Sequence, residues 1–387
     1  MQHVVIIGAG VMGCATACFL ARDHGVRVTV IEREPGGARA SSALSASSIR
    51  QQYSLPINIA LSQWSLAFMQ RVQSELAVPG HTPALGLVLP GYLFLADAAG
   101  AATLQAQHAV QTAAGAHVAL LGPAALQQRF AWLNTAGLAL ASLGLQGEGW
   151  FDGPALWQAF QRKARACGAR FIHGAAIGFE HHGQRVNAVH THSGERVPAD
   201  AVVLCGGAWT APLAQRLGVA LPVSARKRDV FVVDSPARLP HCPLVIDPSG
   251  VWFRPEGRGF ITGAPPRDSD PAEPPLQDID HGLFDSVIWP ALAHRVPAFE
   301  ALRVRSAWAG YYEMNDFDHN GLAGALPGWA NAYTACGFSG HGMQQAPAVG
   351  SALAALVAGG ASTAPALGPL SPQRLLGAPP AFERNII

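Results

Sequence analysis

The chain opens on an unbroken apolar run, His3-Val4-Val5-Ile6-Ile7, of the kind that a parallel sheet buries on both faces. A glycine-rich turn from Gly8 to Gly13 follows, and then a helical stretch from Cys14 that Gly25 stops. A second apolar strand, Val26 to Ile31, ends in Glu32. Further along, Asp152-Gly153-Pro154 reads as the N-cap and first-turn proline of a helix reaching Gly168, with strand patterns after it at Ala169 to His173, Arg185 to His192 and Ala199 to Leu204. Near the other end, Tyr333-Thr334-Ala335 is strand-like, Gly337 to Gly342 is a glycine turn, and a helix is predicted from about Gln344 to Leu356 with Pro347 in its first turn. Between these lie aromatic, proline-punctuated strands such as Gly91 to Leu95 and Val230 to Asp234. The pattern predicts an α/β fold: a Rossmann-like nucleotide domain with a parallel sheet (residues 1–84, 146–214 and 306–365) and an interleaved α+β substrate domain built on an antiparallel sheet (85–145 and 215–305). Residues 366–387, rich in Ala, Gly and Pro, read as a C-terminal surface strap.

Composition narrows the classes. The 387 residues are 49% hydrophobic and only 13% charged, which excludes disorder as the main state and allows a core large enough to hold a bulky cofactor. A formal net charge of +1 provides no basic surface for nucleic acid. The six cysteines form no C-x-x-C pair, which fits a reducing compartment. No apolar run is long enough to span a bilayer and no basic leader precedes His3, so a cytoplasmic protein without a membrane span is expected. His181, His182, His190 and His192 lack the acids or thiols that would complete a metal-ligand spacing and read as a solvated hairpin.

The first glycine turn carries chemistry. In Gly8-Ala9-Gly10-Val11-Met12-Gly13, Gly8 permits the tight turn, Gly10 lets the backbone approach a pyrophosphate, and Gly13 lets the helix pack on the strand. The helix N-terminus beyond it offers N–H groups to phosphate. Glu32 stands about 20 residues on, where an acid grips an adenosine ribose, and its charge disfavours a 2′-phosphate. The motif alone leaves NAD and FAD open. Arg33 and the run of small and hydroxyl residues that includes Ser41, Ser42, Ser47 and Ser48 stand where they can serve a second phosphate and the edge of a flat ring.

From here the chain resembles the D-amino-acid-oxidase-type family of FAD oxidoreductases, whose members oxidise sarcosine, glycine, proline and D-amino acids. The segment Ala199 to Trp209, with Gly206, Gly207 and Trp209, is similar to the strand and turn that return under the flavin nucleotide. Trp308 to Asp316 and Cys336 to Gln344 resemble two further family segments, the second of them wrapping the flavin ring through Gly340, His341, Gly342, Met343 and Gln344. Ala225 to Arg228, Asp247 to Gly250, Trp289 to Glu300 and the terminal Asn385-Ile386-Ile387 resemble a subgroup, the FAD-dependent oxidoreductase domain-containing proteins, associated in mitochondria with respiratory-complex assembly. The missing leader implies a bacterial relative, cytoplasmic or peripheral at the inner membrane.

The resemblance implies oxidation of the C–N bond of an amino acid or secondary amine by hydride transfer to flavin N5, with an FAD-binding assembly factor of little activity as the alternative. It implies a small-molecule amine substrate and an electron acceptor such as a quinone or carrier protein. Arg50 and Tyr53 resemble family positions beside the flavin. Arg254, sharing a strand face with Trp252, is a carboxylate-clamp candidate because a guanidinium binds carboxylate in two places. Arg228 competes with a solvated basic run. Many relatives that oxidise D-amino acids and glycine carry an Arg in the motif that reads Ala309 to Glu313 here; this chain has Tyr instead, and Tyr312 can still hydrogen-bond a carboxylate. Monomeric sarcosine oxidases place a lysine near N5, on the strand that reads Gly259 to Gly263 here; no lysine is there, so a dehydrogenase is expected. No His in Ser41 to Gln52 and no Cys near Tyr311 is available to attach the flavin, so non-covalent FAD is expected, with Cys336 as a packed thiol.

Overall fold

The computed structural model describes residues 1–265 and 273–385. Ile386 and Ile387, part of the terminal resemblance, lie outside the described residues. A six-stranded sheet holds, in spatial order, Leu322–Ala325, Ala332–Cys336, Ala201–Leu204, His3–Ile7, Arg27–Glu32 and Arg170–His173. Its neighbours pair in parallel except at the Leu322–Ala325 edge. His3–Ile7 sits inside this sheet and every residue of it is buried, the reason its sequence shows no polar alternation.

Helices Val11–Asp23, Gly153–Ala166 and Gly342–Ala358 cover one face of this sheet, the first packing against both others. Their backbones approach closely because small residues meet: a Cβ added at Gly350 would lie 2.6 Å from the Ala15 Cβ. The first turn is tighter. Gly8 has φ +104°, a region disfavoured for residues with a Cβ, and a Cβ there would lie 2.2 Å from the Cys205 carbonyl oxygen. A Cβ on Gly13 would lie 2.0 Å from the Gly8 oxygen. Gly13 therefore packs helix on strand, as the motif requires.

The second sheet has eight strands in the order Arg303–Asn315, Val223–Asp234, Gly259–Gly263, Trp252–Glu256, Leu244–Ile246, Tyr92–Ala96, Leu140–Gly144 and Val118–Leu121. All its pairs are antiparallel except Leu244–Ile246 with Tyr92–Ala96. Phe231, Phe253, Phe260, Phe284 and Phe299 form its aromatic core. Strand 303–315 departs from the sequence expectation: residues 306–315, placed with the nucleotide domain, pair along Val223–Asp234 in this second sheet. The last long helix also begins earlier than predicted, at Gly342, which puts Pro347 in its interior rather than its first turn. A proline there gives no N–H to the carbonyl one turn back. The buried Ser65 hydroxyl accepts the next N–H, that of Ala348, at 3.2 Å, and ties this helix to helix Pro56–Gln70.

The tail from residue 366 is only partly a surface strap. Arg374 pairs with Asp318 through two hydrogen bonds, at 2.8 and 3.0 Å, and Glu383 and Asn385 are buried.

The tight turn yields a test. Gly13→Ala puts a methyl group into the Gly8 carbonyl, so it should lower stability by about 1–3 kcal/mol and abolish the flavin absorbance of the purified protein. Thermal unfolding together with a visible spectrum checks both.

Candidate active site

A cavity of about 410 Å3 opens at the carboxyl ends of the central strands, where Ile7, Glu32 and Cys205 reach its wall. One end is the nucleotide turn: Gly8, Gly10, Val11 and Met12 line it, with Arg33, Gly206, Gly207 and Trp209. The Glu32 carboxylate is held by the N–H groups of Ala9 at 2.6 Å and Glu34 at 2.8 Å, and so stays fixed at the rim. The Arg33 guanidinium lies over the Trp209 ring, 4.1 Å from its centre, while the indole N–H donates to Glu273 at 2.6 Å.

The serine run forms the long wall. Ser41, Ser42, Ser47 and Ser48 all line the cavity. Two of these are also structural. The Ser42 hydroxyl accepts from Val11 N–H at 2.9 Å, and Ser41 donates to the Tyr311 carbonyl at 2.6 Å, tying this segment to the first helix and to the second sheet. Opposite, Gly340, Gly342, Met343 and Gln344 bring the N-terminus of helix Gly342–Ala358 to the wall with no side-chain cap. The partial positive charge of that terminus therefore faces the cavity.

A smaller chamber adjoins the second end and shares Ala46, Ser48, Trp252, Tyr312, Gly340 and Gln344 with the main cavity. Arg50, Tyr92, Leu244 and Ser339 complete it. Arg50 is 4% exposed, and its guanidinium donates to the Gln52 carbonyl at 2.6 Å and to the Asn385 carbonyl. The same group lies 4.0 Å above the Tyr53 ring. Among the described residues no carboxylate comes within ion-pair distance of it. Its own N–H is held by Gln344 Oε1 at 2.9 Å. Tyr312 stands across the chamber, its ring 2.3 Å from where a Gly340 Cβ would be, so glycine at 340 is what lets the ring in. Arg228 lines the main cavity, and its guanidinium lies over that ring, 4.6 Å from its centre.

Four sequence candidates do not reach either wall. Gly13 is a packing residue. Tyr53 is fully buried beneath Arg50, with its ring against His341 at 5.5 Å. The chain turns there because the buried Glu148 carboxylate accepts from Gln51 N–H at 2.6 Å and Gln52 N–H at 2.9 Å, which sends residue 53 into the core. His341 is 1% exposed, and burial together with the Arg50 charge pushes its pKa down to about 3, so the ring is neutral. Arg254 shares its strand with Trp252, but its guanidinium is engaged by Glu256 and by the Pro255 and Ala46 carbonyls, the last at 2.8 Å. It braces the serine loop from behind, while Trp252 alone reaches the chamber.

Two acids carry weight that the sequence reading did not assign. Glu148 orders residues 51 and 52, and nothing in its local sequence signals this. Glu313, in strand Arg303–Asn315, lines the main cavity, and burial raises its pKa to about 7 against the pull of the Gly337 and Phe338 N–H groups.

A family model described as FAD dependent oxidoreductase matches residues 3–356. The chain belongs to that family, and FAD is its cofactor. The bovine (Bos taurus) FAD-dependent oxidoreductase domain-containing protein 1 is 42% identical over 393 residues, covering 92% of this chain and 81% of the bovine one. L-proline dehydrogenase from P. horikoshii superimposes with a TM-score of 0.83 at 25% identity, over 97% of this chain and 98% of that one. Glycine oxidase from Geobacillus kaustophilus gives 0.82 at 24% identity, over 97% and 100%. The cavity fits the cofactor: a glycine turn with a fixed acid at one end, an uncapped helix terminus at the other, and a hydroxyl-lined wall between. Among the described residues no cluster of three metal-ligand side chains occurs, and no helix is long and apolar enough to cross a membrane.

The raised Glu313 pKa has a pH signature. Its carboxyl holds a proton in the folded protein at pH values where the unfolded chain, with a carboxyl near 4.5, has lost it. Its contribution to stability is thus full below about 4.5 and is lost as pH rises toward 7. In the FAD-free protein, Glu313→Gln should flatten the fall in Tm across that window and leave the variant the more stable at pH 8; parallel Tm curves would count against this.

Proposed function

We propose that the chain oxidises the C–N bond of a small amino acid or secondary amine, with the substrate carboxylate held by Arg50 in the chamber beside the flavin cavity. The observation that carries this is a buried guanidinium whose only described polar partners are carbonyl groups. Carbonyls satisfy its N–H groups without forming an ion pair, and the buried Glu148, tied up by the Gln51 and Gln52 N–H groups, acts on its charge only through space, so an anion entering the chamber gains a direct ionic partner. Tyr312 and Tyr92 add hydroxyls to the same chamber, and burial pushes the Tyr92 pKa up to about 12, so it remains a donor at neutral pH. Trp252 and Leu244 give the small apolar surface that a methyl, pyrrolidine or methylene group needs.

FAD, when bound, supplies the hydride acceptor. The protein's part is placement and charge. Arg50 fixes one end of the substrate, and its positive charge lowers the pKa of a nearby amine, favouring the neutral form from which hydride leaves. The neutral His341 and the enclosed Tyr53 support Arg50 from below without exchanging protons with solvent. Together they exclude water from its underside.

The dehydrogenase reading rests on the lysines. Lys163 donates to the Ala77 carbonyl at 2.9 Å and Lys227 to the Asp278 carbonyl, and neither lines the cavity. No ammonium group stands ready beside the flavin to promote reaction with oxygen, which favours a quinone or carrier protein as acceptor. The cofactor is held without a covalent bond in this reading: Cys336 is fully buried, with its pKa pushed up to about 12.

Anaerobic mixing of the yellow protein with sarcosine, L-proline, glycine and D-amino acids should bleach the flavin for at least one of them, with far slower reoxidation by air than by a quinone. A panel without bleaching would return the chain to a structural use of FAD. Arg50→Ala should raise KM for the active carboxylate substrate by about 10- to 100-fold, the worth of a charge-assisted pair, with kcat changed less. Acid precipitation should leave the flavin in the supernatant.

A further inference from the structure

Arg50 owes one of its two carbonyl partners to a segment far away in sequence. The tail from Ala381 to Asn385 runs with alternate residues out and in: Phe382 and Arg384 are exposed, Glu383 and Asn385 buried. Glu383 is fully enclosed, and its carboxylate collects five donors. Oε1 accepts from the Ser54 N–H at 2.8 Å, the Ser54 hydroxyl at 2.8 Å and the Asn385 N–H at 3.0 Å. Oε2 accepts from the Leu55 N–H at 3.3 Å and the Asn58 amide at 2.9 Å.

These donors sit at the start of helix Pro56–Gln70, which has Leu55 at its N-cap position and no side-chain cap of its own. A carboxylate at a helix N-terminus is stabilised by the N–H groups and by the helix dipole. Glu383 thus caps this helix from the opposite end of the chain. The anchoring continues on both sides: Asn320 donates to the Ala381 carbonyl at 2.6 Å, and the Asn385 amide donates to the Gln52 carbonyl at 3.0 Å. What the anchor places is the Asn385 carbonyl, which takes a guanidinium N–H of Arg50.

We propose that the 381–385 segment is a positioning strap for the substrate clamp, with Glu383 the residue that locks it and the Asn385 carbonyl the atom that aims Arg50 into the chamber. The inference rests on the reading of Arg50 as the carboxylate clamp. Gln52 holds one terminal nitrogen from within the same loop, and the strap holds the other. Without the strap the guanidinium keeps its charge but loses its fixed direction, and a bidentate grip needs both. The segment is one chain thick, with solvent on its outer side, so the clamp can be loosened without opening the core.

The test uses the FAD-loaded protein and anthranilate, an aminocarboxylate with no hydrogen on its amine-bearing carbon and so no route to oxidation. Its binding is read from the shift it causes in the flavin absorbance bands. The native protein should show saturable binding. If it shows none, the carboxylate clamp itself fails, and the strap loses its role with it. Where the native protein binds, Glu383→Ala should raise the Kd for anthranilate at least 10-fold while FAD content and the unliganded spectrum stay unchanged, and Glu383→Gln, which keeps one acceptor for Ser54, should recover part of the loss. A native Kd in Glu383→Ala would overturn the proposal. Should that variant lose its flavin, Asn385→Ala, which removes only the bond to Gln52, carries the same test with a smaller expected rise of about 3-fold, and a native Kd overturns it equally. Trypsin adds a readout independent of binding: cleavage after the exposed Arg384 should be slow in the native protein and faster in either variant, and equal rates would show that Glu383 does not hold the strap.

Discussion

Helices Val11–Asp23 and Gly342–Ala358 turn their N-termini on one cavity, and the close backbone approach that glycine allows around them is the constraint on which the rest of this structure depends. It is met three times. Gly8 and Gly13 bring the first helix down onto its strand, and Gly350 lets helix Gly342–Ala358 lie against Ala15. A single methyl group at any of these points would separate the elements. The two termini would then no longer face the same space. The cavity is therefore defined by backbone geometry first, and its side chains are arranged around a shape already fixed.

The chemistry of the walls follows a division of charge. At the nucleotide end the acid, Glu32, is tied down by backbone N–H groups and lines the cavity. At the other end the cation, Arg50, is tied down by backbone carbonyls and faces a chamber sized for a small molecule. Each charged group is satisfied in its hydrogen bonds by the main chain, without a direct ion pair among the described residues. Glu148 and Glu383 are the reverse case, carboxylates saturated with protein donors and closed to solvent. They fix loop conformations and line neither the cavity nor the chamber.

Much of this was legible in the sequence, for physical reasons that can be named. The parallel strands announced themselves as continuous apolar runs, and the nucleotide turn as glycines whose spacing is fixed by close packing. The serine run was read as a cavity wall from its place beside that turn, and its serines do line the cavity, though Ser41 and Ser42 also tie down the chain. Less legible was anything that depends on which way a side chain leaves a loop. Tyr53 stands three residues from Arg50, yet Glu148 turns it into the core; Arg254 shares a strand face with Trp252, yet Glu256 and the Ala46 carbonyl draw its head behind the wall. The role of Glu383 was invisible because its partners lie some 330 positions away, and the strap in which it sits has the composition of a loose tail.

The order of strands in the central sheet also bears on how the protein comes into being. His3–Ile7 pairs on one side with Arg27–Glu32 and on the other with residues 201–204, and these in turn with 332–336, so the central sheet closes only when segments far apart in the chain meet. Pairings so distant in sequence fold slowly and leave apolar edges open meanwhile. The central sheet is thus expected to close late in folding, and the cavity at its strand ends to accept the cofactor only once residues 332–336 have paired.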